Sequence, residues 1–168
     1  VGGMRKPGTS VIIEDVAVAA EHLTEAVIEM RKMLDELGYE EAVIYGHVLD
    51  GNLHFIFAQD FHKREELLKY ENMILRLTSL IVDKYDGSLK AEHGTGINMA
   101  PFVAYEWGEE LYGYMKEIKK AFDPGGIITK NTFLGLLDRT RPRQDCAPFD
   151  VAIGPIRISL VLFAHRVR

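Results

Sequence analysis

The chain has 168 residues, 47% of them hydrophobic and 27% charged, which is the balance of a soluble globular domain with one ordinary core. Its 20 basic and 25 acidic residues give a formal charge of −5, and the basic pairs Lys63-Arg64 and Lys119-Lys120 have acids close by, so no nucleic-acid surface is marked. Cys146 is the single cysteine, which excludes an internal disulfide and a thiolate zinc site, and no apolar run approaches the ~20 residues of a membrane span.

The chain opens on Val1-Gly2-Gly3 without a signal-peptide pattern, and reads as an internal segment or a processed product. After a turn at Pro7-Gly8, Ser10 to Val18 is rich in β-branched residues and is expected to be a buried strand. From Ala20 to Leu37 the apolar residues Leu23, Val27, Met30, Leu34 and Leu37 form a helical stripe closed by Gly38. Two strand-like runs follow, Glu41–Leu49 and Asn52–Gln59. Lys63 to Tyr85 is the longest helical pattern, with Leu67, Ile74, Leu77 and Ile81 on one side, and Asp86-Gly87 stops it before a strand-like Ser88–Ala91. The order βαββαβ predicts an α+β, ferredoxin-like antiparallel sheet with both helices on one face. Leu23, Met30, Leu34, Ile44, Phe55, Phe57, Ile74 and Ile81 are its expected core.

A further helix is expected from about Tyr105 to Phe122, with Leu111, Met115, Ile118 and Phe122 inward and Asp123-Pro124-Gly125-Gly126 ending it. The aromatic residues near its start, Phe102, Tyr105, Trp107, Tyr112 and Tyr114, read as core packing. Beyond Gly126 the composition shifts: Arg139, Arg141 and Arg143 lead into an apolar run, Ile156 to Phe163, that reads as a late strand. Length and composition together predict one domain.

The residues richest in chemistry are Gly46 to His54. Asp50-Gly51 between two β-prone runs is a two-residue hairpin signal. With that loop His47 pairs with His54, and directly opposed residues hold their Cβ atoms about 4.5–5.5 Å apart, close enough for both imidazoles to reach one metal ion. Val48, Leu53 and Phe55 are expected to point the other way. The alternative is that both histidines are half-buried polar residues satisfied by their neighbours. Glu92, in Ser88 to Gly96, is a candidate third ligand. Two histidines and a carboxylate with positions left open make a substrate-accepting metal site rather than a closed structural one.

These residues resemble the C-terminal domain of FAD-linked oxidases, the vanillyl-alcohol-oxidase-like flavoproteins that include D-lactate dehydrogenase, the glycolate oxidase D subunit and D-2-hydroxyglutarate dehydrogenase. The likeness is carried by Gly8 to Val18, Gly46 to His54, Gly87 to Gly96 and Phe122 to Ile128. The pairing of Leu89 to Gly96 with Asn52 to Phe55 looks like the large members, which carry a flavin domain upstream and an iron–sulfur domain downstream. The resemblance implies that His47, His54 and Glu92 are ligands of a divalent metal, Zn or Mn, that His93 is the base taking the substrate hydroxyl proton, and that Asn52 is an active-site residue. It also implies FAD, bound mainly by the upstream domain. Leu49 stands where the family often has Gly, and Thr129-Lys130-Asn131 replaces the usual Asn-Pro-Gly, so the resemblance implies a family domain over residues 1–128 and a divergent tail of unassigned role over 129–168.

Oxidising a 2-hydroxy acid of the D-lactate, glycolate or D-2-hydroxyglutarate class removes the hydroxyl proton and a hydride from the same carbon. Neighbours on extended backbone diverge, so Glu92 can face a metal while His93 faces substrate. Gly94 and Gly96 allow close backbone approach to a cofactor or substrate, although a Gly-x-Gly alone is a weak signal. Arg5, Lys6 and Lys90 are candidate carboxylate binders, with a solvated surface role as the plainer reading. The expected location is cytoplasmic, with membrane association through electron-transfer partners as an option. The rival is a non-catalytic ferredoxin-like module that binds metal or a partner subunit.

Overall fold

The computed structural model describes residues 5–127, 149–153 and 156–160. They fall into two units, 1–94 and 95–168. The first runs β1 (Ser10–Ala17), α1 (Leu23–Glu36), β2 (Val43–His47), β3 (Asn52–Gln59) and α2 (Arg64–Ser79), with α2 prolonged by a π-turn over Leu80–Lys84. The strands form an antiparallel sheet in the order β1-β3-β2.

Alternation along β3 gives this sheet two unlike faces. Leu53, Phe55 and Phe57 are buried on the helix side, where the rings of Phe57 and Tyr70 of α2 lie 6.3 Å apart. The stripes read from the sequence supply the rest: Leu23, Ala26, Met30, Met33 and Leu34 of α1, Met73, Ile74 and Leu77 of α2, and Ile81. Each of these side chains larger than alanine contributes roughly 1.5–3 kcal/mol by leaving water. Ile44 alone among the expected core residues is only half-buried, because β2 is an edge strand. Gly38 ends α1 at φ 73°, and Arg31 donates to the carbonyls of Tyr39 (2.8 Å) and Ala42 (2.5 Å), fixing the entry into β2. The opposite face carries Asp15 and Ala17 of β1, Tyr45 and His47 of β2, and Asn52 and His54 of β3.

The hairpin register differs from the two-residue expectation. His47 pairs with Asn52 and Tyr45 with His54, so the loop is Val48–Gly51. Val48–Asp50 form one 3₁₀ turn that closes on Gly51 at φ 65°. Gly51 is also pinned to β1's end, where the Val18 N–H donates to its carbonyl at 3.0 Å. A Cβ at Gly51 would lie 1.9 Å from the Val18 carbonyl oxygen, so both conformation and contact require glycine. The shift is two residues, which returns every side chain to the same face, and the imidazoles of His47 and His54 remain diagonal neighbours with centroids 5.3 Å apart.

The expected strand over Ser88–Ala91 is reduced to one antiparallel bridge, in which Ala17 and Ser88 exchange bonds of 2.9 and 2.8 Å. The cause is local: the Lys90 N–H turns back to Oγ of Ser88 at 3.3 Å, and the N–H groups of Ala91 and Glu92 turn to the Asp15 carboxylate, so none of them extends a ladder.

The second unit contains α3 (Gly96–Met99), α4 (Val103–Phe122) and the hairpin β4 (Phe149–Ile153) and β5 (Ile156–Leu160). The late strand expected from Ile156 is thus found; Thr129–Asn131, the tail arginines and Cys146 lie outside the described residues. Helix α4 ends at the expected turn, where Asp123 accepts from the Ile127 N–H at 2.7 Å, but it is interrupted at Gly108 (φ 76°, ψ 163°). Leu111, Ile118 and Phe122 were expected inward and are exposed, whereas Tyr112 is buried. Helical spacing identifies a stripe that favours cover without identifying what covers it. Among the described residues, no helix is long and apolar enough to cross a membrane.

Candidate metal and proton-transfer site

Three segments converge on the open face of the first unit's sheet. β2 delivers His47 at its last residue, β3 delivers His54, and the stretch after the Ser88 bridge delivers Glu92 and His93. Oε1 of Glu92 lies 2.9 Å from Nε2 of His54 and 3.3 Å from Nε2 of His47. His93 stacks on His54 with ring centroids 4.7 Å apart and an interplanar angle of 18°. Its Nε2 is 3.8 Å from the same Glu92 oxygen, and its Nδ1 is 3.6 Å from Oδ1 of Asp15. His54 is only 4% exposed, whereas His47 is 58% exposed at its side chain, so the cluster has a buried wall and an open mouth.

The donor set fits a divalent ion on two counts. One potential ligand atom each from His47, His54 and Glu92 lies within 4.8 Å of the others. The separations of 2.9 and 3.3 Å also match neighbouring ligands around an ion bound at about 2.0–2.2 Å, which stand roughly 2.8–3.6 Å apart between octahedral and tetrahedral geometry. Charge points the same way. Glu92 and Asp15 bring two carboxylates against the imidazoles of His47, His54 and His93, a setting that favours a cation. Among the described residues, Nδ1 of His54 and Oδ1 of Asn52 are buried without a hydrogen-bond partner.

Asp15 went unassigned in the sequence reading and is the most heavily engaged group of the site. It is fully buried. Its Oδ2 accepts from the N–H groups of Glu92 (2.7 Å) and Ala91 (2.9 Å) and from Nδ2 of Asn52 (3.4 Å), and Lys90 Nζ lies 3.4 Å from Oδ1. Burial pushes its carboxyl up, but the two backbone donors, Lys90 and His93 together outweigh burial and hold it below its ordinary value. The signal was present in Glu14-Asp15: two consecutive acids inside a β-branched strand imply that at least one carboxylate is buried and partnered.

Other expected site residues are placed as follows. Asn52 lies on the same face, buried, with its amide turned to Asp15. Gly94 and Gly96 adopt φ values of 68° and 66°, a turn glycine accommodates readily, and no group lies within 4 Å of a Cβ built on Gly94. Lys90 is neither solvated nor turned outward; it is paired with Glu14 and Asp15. Arg5 donates to the Thr9 carbonyl. Tyr45, absent from the sequence-based site, stands across from His54 with ring centroids 5.1 Å apart.

Comparison with known proteins sets this geometry in a family. Residues 2–130 match the family described as FAD linked oxidases, C-terminal domain. The chain is 33% identical over 141 residues to a D-2-hydroxyglutarate dehydrogenase of Pantoea ananatis, covering 82% of this chain and 12% of that protein. It is 37% identical over 114 residues to the D-2-hydroxyglutarate dehydrogenase of Escherichia coli, covering 66% and 11%. Against a mitochondrial D-lactate dehydrogenase (cytochrome) of Arabidopsis thaliana the identity is 34% over 125 residues, covering 73% and 21%. The chain therefore spans about a tenth to a fifth of the length of these relatives. The segments that build the cluster all lie within the matched region, and the chain belongs to the FAD-linked oxidase C-terminal domain family.

Proposed function

We propose that this chain is the substrate- and metal-binding part of an FAD-dependent oxidoreductase that oxidises a 2-hydroxy acid, of the D-lactate, glycolate or D-2-hydroxyglutarate class, to the 2-oxo acid. The observation that carries this reading is the convergence of His47, His54 and Glu92, with His93 stacked alongside. In this reading residues 1–128 are the functional domain, and a flavin domain, with an iron–sulfur domain in the larger relatives, belongs to the parent protein. The antiparallel bridge on β1's outer edge supports reading the sheet as ferredoxin-like with a vestigial fourth strand.

His47, His54 and Glu92 would hold Zn or Mn, whose chemistry when bound is Lewis-acid stabilisation of a developing alkoxide. Flavin bound by the parent's other domain would accept the hydride. His93 takes the hydroxyl proton, a contribution of roughly 10²–10⁴ in rate. Asn52 is buried on the same face and supports it through Asp15. Gly94 and Gly96 leave room for substrate or cofactor to approach the backbone. The substrate carboxylate needs a cation other than Lys90, whose ammonium is held by Glu14 and Asp15. The single cysteine accords with a cytoplasmic location.

The test is direct. The full-length parent, loaded with Zn²⁺ or Mn²⁺, is assayed against a panel of 2-hydroxy acids with an artificial electron acceptor, alongside elemental analysis. Turnover of at least one acid with about one bound ion per site is expected. Absence of turnover across the panel overturns the reading and favours the non-catalytic module.

A further inference from the structure

Asp15 is a buried carboxylate whose two oxygens do different things. Oδ2 collects the consecutive backbone N–H groups of Ala91 and Glu92 together with the Asn52 amide. Oδ1 faces Lys90 Nζ at 3.4 Å and His93 Nδ1 at 3.6 Å. The segment it grips has no ladder of its own beyond the Ser88 bridge, yet carries both Glu92 and His93. Nothing else described ties the Ala91 and Glu92 amides.

Donor atoms of Asp15, His54 and His93 also lie within 4.8 Å of one another, which raises a second metal position. The contacts argue against it. Oδ2 is committed to N–H donors, and an ion on Oδ1 would stand against the Lys90 ammonium, a like-charge contact in a buried setting. An imidazole beside such a carboxylate is instead oriented by it: the nitrogen nearer the carboxylate carries the hydrogen, and the far nitrogen keeps its lone pair.

We propose that Asp15 is the positioning residue of this site, clamping the Lys90–His93 segment through the Ala91 and Glu92 amides and turning His93 so that Nε2, not Nδ1, is the proton-accepting atom. The catalytic half of this rests on the reading of His93 as the base; the clamp does not. The acid is needed in its carboxylate form, because an amide in its place would set an NH₂ group against either the two backbone donors or Lys90 and His93.

The experiment uses the full-length protein. Asp15→Asn, assayed at saturating Zn²⁺, is expected to lower kcat at least tenfold with KM within about threefold, and to weaken Zn²⁺ binding less than His54→Ala does, since the released segment carries Glu92 but no ligand is removed. Hydrogen–deuterium exchange of the wild type, read at residue resolution, is expected to show the Ala91 and Glu92 amides exchanging at least 100-fold more slowly than unprotected amides. Wild-type kcat in Asp15→Asn overturns the positioning role, and Zn²⁺ loss in that variant as complete as in His54→Ala makes Asp15 a ligand and overturns it as well. If the variant does not fold, the wild-type exchange decides: unprotected Ala91 and Glu92 amides overturn the clamp, and slow exchange supports it. A wild type inactive on every 2-hydroxy acid overturns the functional reading above, while the exchange measurement still judges the clamp.

Discussion

Nε2 of His54 lies 2.9 Å from Oε1 of Glu92, joining the central strand of the sheet to a segment that has left it. The bond reaches from a side chain 4% exposed to one that is 49% exposed, so the cluster is anchored from its buried end. Removing the two histidines should therefore have unequal consequences. In the full-length protein, His54→Ala and His47→Ala are both expected to lose stoichiometric Zn²⁺ or Mn²⁺, because two ligands rarely retain a catalytic ion. Only His54→Ala should also destabilise the metal-free protein, by about 1–3 kcal/mol, because it alone empties buried space. Elemental analysis and chelator-treated thermal melts check this; full metal content in His47→Ala counts against its being a ligand.

His93→Ala separates base from ligand. Turnover should fall about 10²-fold or more while metal content stays at the wild-type level. Loss of metal in this variant would make the imidazole a ligand, and unchanged turnover would remove His93 from the mechanism.

Gly46 shows how closely β2 and β3 are joined beside the site. A Cβ there would stand 2.1 Å from the Asn52 carbonyl oxygen, which is backbone and cannot swing aside. Gly46→Ala should shift β2, lower stability by roughly 1–3 kcal/mol and weaken Zn²⁺ binding through displacement of the adjacent His47. A melting temperature and zinc affinity equal to wild type would show that the strand pair yields without cost.

Acid sensitivity follows from Asp15. Its folded-state carboxyl is held below the ordinary 3.8, so its contribution to stability is complete well above pH 3.8 and is lost as the pH falls below 3.8 through the folded-state value. Denaturant midpoints measured across the acid range should therefore decline more steeply below that point in the wild type than in Asp15→Asn. Identical slopes would mean that the carboxylate has no differential interaction in the folded state.

Much of this was legible in the chain because side-chain periodicity survives errors of register. The stripes of α1 and α2 and the alternation of β3 pointed to seven buried side chains, and the family residues His47, His54 and Glu92 come together as a cluster even though His47 faces Asn52. What escaped was set by contacts distant in sequence. The Val18 N–H binding the Gly51 carbonyl belongs to a four-residue loop, and nothing local in Asp50-Gly51 announces it. Ser88–Ala91 has strand-like composition, but its backbone donors go to the side chains of Ser88 and Asp15. The exposed stripe of α4, with Phe122 at 81%, records an apolar surface that spacing alone cannot pair with a partner.

The diagonal placement of His47 and His54 has a consequence for how this hairpin can vary. Their shared face depends on parity, not on the length of the Val48–Gly51 turn. With the four-residue turn form kept, trimming or extending by two residues slides one strand past the other by a full pleat repeat and returns His47 to the face of His54. Trimming by one in the same way rotates its imidazole toward the apolar helices and brings Gly46 opposite His54. Loop variants of this domain that keep a working site should therefore differ in even steps, and odd-step variants should need a bulge in β2 to restore the phase.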